Sequence, residues 1–214
     1  MKVIPAVNCP DSESALNQIR LAGGFSDWIH LDVADGGFTP NRTWGSPEGL
    51  SAAENEFPGL SFEVHLMVQE VESILAGWLA SRAKRLIVQW EGVKDKNRMI
   101  DYLGRSGSEK EIGVSLAPQT SLEEIKPYLP KIKFFQILAV SPGLAGQSFN
   151  YSCLEKIKSL RSLIPGDKLI EVDGGADLRA GKLIKDAHAD ILVSASFIFG
   201  NPNPKEAYEA LSKI

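Results

Sequence analysis

Cysteine is scarce in this sequence: its 214 residues include only Cys9 and Cys153, which lie far apart and form no C-x-x-C pair. We therefore expect neither a disulfide framework nor a zinc site built on thiolates. Long apolar runs are also missing, because no stretch approaches the roughly 18 continuous apolar residues that cross a bilayer. The apolar start at 3–7 contains Pro5 and runs into a polar segment, unlike a secretion signal. These absences favour a cytoplasmic protein with no membrane partner.

Neither sign of charge dominates the chain. The 27 acidic and 23 basic residues are mixed along it and give a net charge of −4. No basic patch for nucleic acid is therefore expected, and small-molecule chemistry is favoured. The turn G-x-G-x-x-G, typical of dinucleotide-binding sheets, is absent after the first predicted strand. With 43% hydrophobic residues the chain can bury one substantial core, so we expect residues 1–214 to form a single domain.

Short aliphatic runs alternate with amphipathic stretches from one end of the chain to the other. The pattern predicts strands at 2–7, 28–33, 61–66, 85–89, 111–116, 133–139, 168–173 and 190–194. It predicts helices at 12–22, 47–56, 70–81, 95–106, 121–128, 150–163, 177–186 and 204–213, with a surface turn at 104–107 and N-cap candidates Asp11, Ser46, Thr120 and Asn203. Eight βα units can close a barrel, so the predicted fold is α/β, a (β/α)8 TIM barrel; an open doubly wound sheet is the alternative.

Polar residues stand at the ends of three predicted strands. A barrel of this kind carries its active site at the C-terminal ends of the strands. Because side chains alternate across a strand, four of them point to the barrel axis: His30, Asp32, His65 and Asp173. Two imidazoles and two carboxylates suit one divalent ion such as Zn, Mn, Fe or Co. The alternative for each histidine alone is a hydrogen-bonded interior residue, and for each aspartate alone a cap on a neighbouring loop, but two buried carboxylates are costly without a cation.

Two carboxylates beside a metal ion suggest a reaction class. A cation that chelates a carbonyl and its neighbouring hydroxyl acidifies the carbon-bound proton and stabilises the enediolate that remains. If Asp32 and Asp173 stand on opposite faces of this planar intermediate, one removes a proton and the other returns it to the opposite face. The predicted outcome is inversion at carbon, an epimerisation.

Turn segments at 141–147, 173–175 and 194–197 follow the last three predicted strands and cluster backbone N–H groups on one side of the mouth. Barrels often place a phosphate there, which indicates the phosphate-binding type of barrel. A lone glycine pair is more often a plain turn. The substrate-binding candidates are His65, Gly143, Gly146, Gln147, Gly174, Gly175, Ala195 and Ser196.

Four segments carry these residues in one order: HLDVADGGFTPN at 30–41, VHLM at 64–67, PGLAGQSF at 142–149 and EVDGG at 171–175. Together they resemble the ribulose-phosphate 3-epimerase family. The resemblance implies an isomerase of carbohydrate metabolism, in the pentose phosphate pathway, that interconverts D-ribulose 5-phosphate and D-xylulose 5-phosphate. It also implies metal ligands at His30, Asp32, His65 and Asp173, with the two aspartates as the acid/base pair.

The surroundings of these residues depart from the family's pattern. The family has a serine at Ala6, methionines near the metal at Ala34 and Leu138, and a histidine late in the fourth strand, where this chain has Gln89, Trp90 and Glu91. Ala145 and Ala195 stand where the family prefers glycine. An added Cβ obstructs positive φ or the close approach of a phosphate, and smaller apolar groups alter the exclusion of water.

Other interpretations stay open. One is an epimerase of a hexulose phosphate such as allulose 6-phosphate, and another is a barrel that binds metal or a sugar phosphate without turnover. A decarboxylase or aldolase usually needs an inward lysine, and these strand ends carry none. Trp44 and Trp90 are candidates for the core or for a contact in a homo-oligomer, and His188 for a solvated turn.

Overall fold

Eight parallel strands close into a barrel in the computed structural model, which describes residues 1–105 and 110–214. The strands are β1 (Lys2–Val7), β2 (Trp28–Ala34), β3 (Ser61–Met67), β4 (Arg85–Gln89), β5 (Glu111–Leu116), β6 (Phe134–Leu138), β7 (Leu169–Asp173) and β8 (Ile191–Ser194). Each strand pairs with its neighbours in sequence, and β8 pairs with β1. The predicted α/β barrel is confirmed, and the open sheet is excluded. A single domain over residues 1–214 stays a prediction.

Helices connect the strands. They are α1 (Ser12–Ala22), α2 (Pro47–Glu56), α3 (Leu75–Ala80), α4 (Lys96–Arg105), α5 (Cys153–Leu163), α6 (Leu178–Asp186), α7 (Ser196–Phe199) and α8 (Pro204–Ser212). Asp11, Ser46 and Asn203 act as N-caps, since each side chain accepts a hydrogen bond from a backbone N–H of the first turn. Residues 106–107 of the predicted surface turn lie outside the described residues. Among the helices that the structure describes, none is long and apolar enough to cross a membrane.

The segment predicted as a helix at 121–128 forms two 3-10 turns instead, Leu122–Glu124 and Lys126–Tyr128. Pro127 explains the difference, because it has no N–H to donate and disfavours α conformation in the residue before it. The N-cap prediction at Thr120 is also wrong. Ser121 caps the first turn, and the buried Thr120 hydroxyl donates to a carboxylate of the β4–α4 connection.

Other local differences are smaller. The predicted helix at 70–81 begins later, because Glu70 has a left-handed φ of 52° and a 3-10 turn at Val71–Ser73 precedes α3. The short helix α7 and a 3-10 turn at Trp90–Gly92 are not predicted from the sequence. Trp90 is 1% exposed and belongs to the main core, whereas Trp44 packs against that core partly buried. The homo-oligomer therefore stays a prediction, and the buried Trp90 does not support it.

Alternation along β2 places apolar side chains on the outside of the barrel and polar side chains inside it. Ile29, Leu31 and Val33 of β2 belong to the main core around the barrel. A smaller apolar cluster inside the barrel contains Ile4, Ala6, Ile87, Phe134, Ile191 and Val193. The other parity of β2 carries the buried His30 and Asp32, and the register places Asp32 beside His65 of β3. The fold thereby directs polar side chains of several strands into one interior.

Candidate metal centre and active site

Four ligand atoms, one from each of His30, Asp32, His65 and Asp173, lie within 4.8 Å of one another. Asp32 Oδ1 is 3.3 Å from His30 Nε2 and 3.4 Å from His65 Nδ1. His65 Nδ1 is in turn 3.9 Å from Asp173 Oδ2. The two imidazoles are fully buried, and the side chains of the two aspartates are 9% and 10% exposed. The structure thus brings together the four residues that sequence parity predicts at the barrel axis.

The atoms that face each other in this cluster have no hydrogen-bond partner. His30 Nε2, Asp32 Oδ1 and His65 Nδ1 are all buried and unpaired. The opposite nitrogen of each ring is engaged: His30 Nδ1 lies 2.7 Å from Glu63 Oε1, and His65 Nε2 lies 2.7 Å from Gln89 Oε1. Because both of those partners are acceptors, each ring donates outward, and in its neutral form it turns a lone pair inward. Converging lone pairs and carboxylates fit a divalent cation.

The pKa values reflect the same concentration of negative charge. Burial favours the neutral ring of His30, but Asp32 and Glu63 outweigh burial and raise the pKa of His30 well above its usual range. Burial likewise opposes ionisation of Asp32, yet the rings of His30 and His65 outweigh it and lower the pKa of Asp32. Burial and the charge of Asp32 raise the pKa of Asp173 to about 6. The two carboxyls therefore differ in proton affinity, as an acid and a base must.

Beneath the cluster, the barrel interior holds a charged layer. Glu63 is fully buried; its Oε1 accepts from His30, and its Oε2 accepts from Arg85 Nη1 at 2.5 Å. Arg85 also donates to Glu111, at 2.8 and 2.9 Å, and its guanidinium lies 4.0 Å from the centre of the Phe134 ring. This carboxylate–histidine arrangement fixes the tautomer and orientation of His30.

Glu63→Gln is expected to weaken metal binding about 10- to 100-fold, the usual effect of losing a partner behind a metal-ligating histidine. One amide oxygen cannot accept from both His30 and Arg85 as two carboxylate oxygens do. Calorimetric titration of the metal-free protein with Mn²⁺ or Zn²⁺ measures the affinity. Glu111→Gln is the control, because Glu111 also pairs with Arg85 but is half exposed. Equal affinities for the two variants would contradict the role of Glu63.

A second chain of contacts supports His65. The Gln89 amide accepts from His65 and donates through Nε2 to Glu91. Glu91 Oε1 accepts from the backbone N–H of Ala117 at 3.0 Å and from the Thr120 hydroxyl. Gln89 stands in the segment where the family pattern has a histidine, and its amide oxygen supplies the acceptor that His65 needs. Parity along β4 is the sequence signal that could have identified Gln89.

The cluster opens into a cavity at the mouth of the barrel. Asp32 and Asp173 line it, as do seven predicted phosphate-side residues: Gly143, Gly146, Gln147, Gly174, Gly175, Ala195 and Ser196. His65, the eighth predicted substrate-binding residue, lies in the cluster and does not line the cavity. No lysine lines the cavity in the part of the chain that the structure describes, which agrees with the absence of an inward lysine in the sequence.

Backbone conformation explains which of these positions require glycine. Gly175 has a φ of 70°, and a Cβ there would lie 2.2 Å from the backbone N of Phe149. Ala145 and Ala195 also line the cavity, but the φ of neither residue is positive. The alanines at these two positions are therefore compatible with the backbone. Gln147 donates to the carbonyls of Ser141 and Leu144, so its amide holds the turn together.

Asn8 is a site residue that sequence reasoning missed. It lies just after β1 and lines the cavity, and its Nδ2 donates to Asp32 Oδ2 at 2.8 Å and to the Gly143 carbonyl at 3.1 Å. Asn41 Nδ2 donates to the same carbonyl at 2.8 Å. The signal that could have identified Asn8 is its parity, since it follows the inward residue Ala6 by two positions. His188, in contrast, is exposed and lies outside the cluster.

Comparison with known proteins identifies relatives along nearly the whole chain. A protein in Chlamydia pneumoniae, ribulose-phosphate 3-epimerase, is 39% identical over 185 residues, covering 84% of this chain and 79% of the relative. The ribulose-phosphate 3-epimerase of Bacillus subtilis (strain 168) is 32% identical over 212 residues, covering 97% and 96%. A solved structure of KGPDC from Streptococcus mutans in complex with D-R5P superposes with a TM-score of 0.74 at 16% identity, covering 99% and 95%.

A structure of 3-hexulose-6-phosphate synthase superposes with a TM-score of 0.72 at 17% identity, covering 100% of this chain and 99% of the other. At such low identity, these two structural likenesses show the shared barrel fold alone. The sequence relation is stronger, because the model of the ribulose-phosphate 3 epimerase family matches residues 3–199. The chain therefore belongs to the ribulose-phosphate 3-epimerase family, a family of isomerases.

Proposed function

We propose that this protein is a metal-dependent 3-epimerase that interconverts D-ribulose 5-phosphate and D-xylulose 5-phosphate. The observation that carries the proposal is the position of two carboxylates. Asp32 and Asp173 both line one open cavity, and both lie beside unpaired histidine nitrogens. Relatives named ribulose-phosphate 3-epimerase support the choice of substrate. The glycine-rich turns on one side of the cavity would receive the phosphate group.

One divalent cation, Zn, Mn, Fe or Co, would be held by His30 Nε2, Asp32 Oδ1, His65 Nδ1 and Asp173 Oδ2. The nitrogen and oxygen donors of this set suit any of these ions. When bound, the cation would supply Lewis-acid stabilisation of the negative charge that develops on the C2 oxygen of the sugar. Glu63 and Gln89 keep the two imidazoles oriented for this task.

The two carboxylates carry the proton chemistry. Asp32, whose pKa is lowered, removes the C3 proton of one epimer: the C3–H bond breaks, an O–H bond forms, and the electron pair moves through C2–C3 to the C2 oxygen. Asp173, whose pKa is raised to about 6, gives its proton to the opposite face of C3 as the C2 carbonyl re-forms. In the reverse direction the two residues exchange roles. Each carboxylate therefore removes and returns the C3 proton of one epimer.

A test of this proposal follows both epimerisation and isotope uptake. Metal-free protein is supplied with Mn²⁺, Zn²⁺, Fe²⁺ or Co²⁺ and incubated in D2O with D-ribulose 5-phosphate, with allulose 6-phosphate assayed in parallel. We expect turnover of the pentulose phosphate with at least one ion, and NMR should find deuterium at C3 of the product. Absence of turnover with every ion would overturn the proposal in favour of a binding protein. Preferential turnover of the hexulose phosphate would overturn the substrate assignment.

Cytoplasmic location and assembly into a homo-oligomer stay predictions. So does the absence of a nucleic-acid partner, which rests on the mixed charge of the sequence.

A further inference from the structure

The two oxygens of Asp32 have different surroundings. Oδ1 belongs to the ligand cluster, 3.3 Å from His30 Nε2 and 3.4 Å from His65 Nδ1. Oδ2 accepts a hydrogen bond from Asn8 Nδ2 at 2.8 Å. With Oδ1 engaged by the cluster, Oδ2 is the oxygen left to exchange a proton with substrate. The contact from Asn8 therefore reaches the atom that the chemistry uses.

The orientation of the Asn8 amide is determined by its partners. Nδ2 faces two acceptors, Asp32 Oδ2 and the Gly143 carbonyl, so both of its hydrogens are used. A flipped amide would place Oδ1 against two oxygens, which would be repulsive. The Gly143 carbonyl is held by a second donor, Asn41. Asn8 is thus a fixed donor, because its own position is set by the β6–α5 turn as well as by Asp32.

Asp173 has no comparable support. Among the described residues its carboxylate accepts no hydrogen bond, and His65 Nδ1 lies 3.9 Å from its Oδ2. One carboxylate of the pair is therefore oriented by a neutral donor, and the other is oriented by the cluster alone. An amide that donates to a carboxylate restricts its rotation, and misplacement of a reacting group by about 1 Å can cost about 100-fold in rate.

We propose that Asn8 is a positioning residue that orients Asp32 Oδ2 for proton transfer, so that loss of Asn8 slows one of the two proton transfers and spares the other. This inference rests on the proposed epimerase function and deepens it. It assigns a role to a residue that belongs to neither the metal ligands nor the phosphate turns. It also makes the two halves of the reaction separable by experiment.

The test uses Asn8→Leu, which has a similar size and no donor, and Asn8→Ala as a second variant in case the leucine disturbs folding. Each epimer is incubated separately in D2O with saturating metal. The measured quantity is the ratio of deuterium in recovered substrate to product formed. We expect the rate of epimerisation to fall on the order of 100-fold. The ratio should rise for the epimer that Asp173 deprotonates and fall for the epimer that Asp32 deprotonates.

The opposite changes have a kinetic reason. A slower Asp32 step makes the enediolate formed through Asp173 return to its starting epimer more often. An enediolate formed when Asp32 removes the proton instead goes on to product more often, because reprotonation by Asp32 has become slow. A merely structural defect would move both ratios in the same direction or leave them unchanged, and either result would overturn the inference.

Two further measurements complete the design. Metal content should stay at one ion per chain in both variants, and loss of the ion would overturn a pure positioning role. Asn150→Ala is the matched control, because Asn150 lies in the same β6–α5 turn but is exposed and accepts from Ser152, with no contact to Asp32 or the Gly143 carbonyl; its two ratios should equal those of the wild type. If the wild type turns over and the Asn8 variants keep its ratios, only this inference fails. A wild type without exchange or turnover would overturn the proposed function as well.

Discussion

Asp173→Asn is expected to lower the rate of epimerisation by about 10⁴-fold, the upper range for losing a general acid or base. The amide keeps the size of the side chain and one oxygen for the metal, but it can neither accept the C3 proton nor return one. Burial and the charge of Asp32 raise the pKa of this carboxyl to about 6, so it holds a proton more readily than Asp32 does. A chromatographic assay that separates the two pentulose phosphates measures the loss.

Proton exchange in the same variant should be lost selectively. In D2O, Asp173→Asn should still exchange the C3 proton of the epimer that Asp32 serves, and it should leave the C3 proton of the other epimer untouched. Asp32→Asn should show the mirror image. Exchange of both epimers by either variant would contradict the assignment of one carboxylate to each face.

The control for this pair is Asp177→Asn. Asp177 is the exposed N-cap of α6, just beyond the glycines that follow β7, and asparagine is an equally good N-cap. We expect its epimerisation rate to match that of the wild type. A comparable loss in Asp177→Asn would show that the effect of Asp173→Asn comes from disturbance of this segment.

His65→Ala is expected to abolish stoichiometric metal binding and to lower epimerisation by at least about 10³-fold, since the metal contributes several kcal/mol of charge stabilisation to such reactions. His65 Nδ1 is one of the unpaired atoms of the cluster, and its loss leaves one imidazole and two carboxylates to hold the ion. Elemental analysis of the purified protein measures the metal content.

Metal binding should also appear in stability, independently of activity. Metal present at about 100 times its dissociation constant stabilises the folded wild type by about 2.7 kcal/mol, so a chelator should lower its melting temperature. In His65→Ala the melting temperature should not respond to the chelator. His188→Ala is the control, because His188 is exposed and lies outside the cluster. A chelator response in His65→Ala equal to that of the wild type would contradict the assigned ligand.

The barrel and the four central residues could be predicted because both depend on short-range rules. Strand periodicity and strand count indicate the barrel, and parity along β2, β3 and β7 assigns His30, Asp32, His65 and Asp173 to its interior. Each of these inferences needs only one strand at a time. The closed sheet then brings the strand ends together whatever the details of packing.

The supporting contacts could not be predicted, because they depend on which side chains meet across strands. Glu63 contacts His30 of one neighbouring strand and Arg85 of the other, and no pattern within β3 reveals either contact. Asn8 meets Asp32 only through the final geometry of the mouth. The error at 121–128 has a different origin: the apolar spacing suits a helix, but Pro127 limits the segment to 3-10 turns.

Metal binding by the four central residues is tested most directly by anomalous diffraction from crystals of the protein, recorded at the absorption edge of the metal that supports turnover. We expect one peak at a distance of about 2.0–2.2 Å from each of the four ligand atoms, His30 Nε2, Asp32 Oδ1, His65 Nδ1 and Asp173 Oδ2. A peak at another position, or ligation through His65 Nε2 in place of Nδ1, would contradict the account.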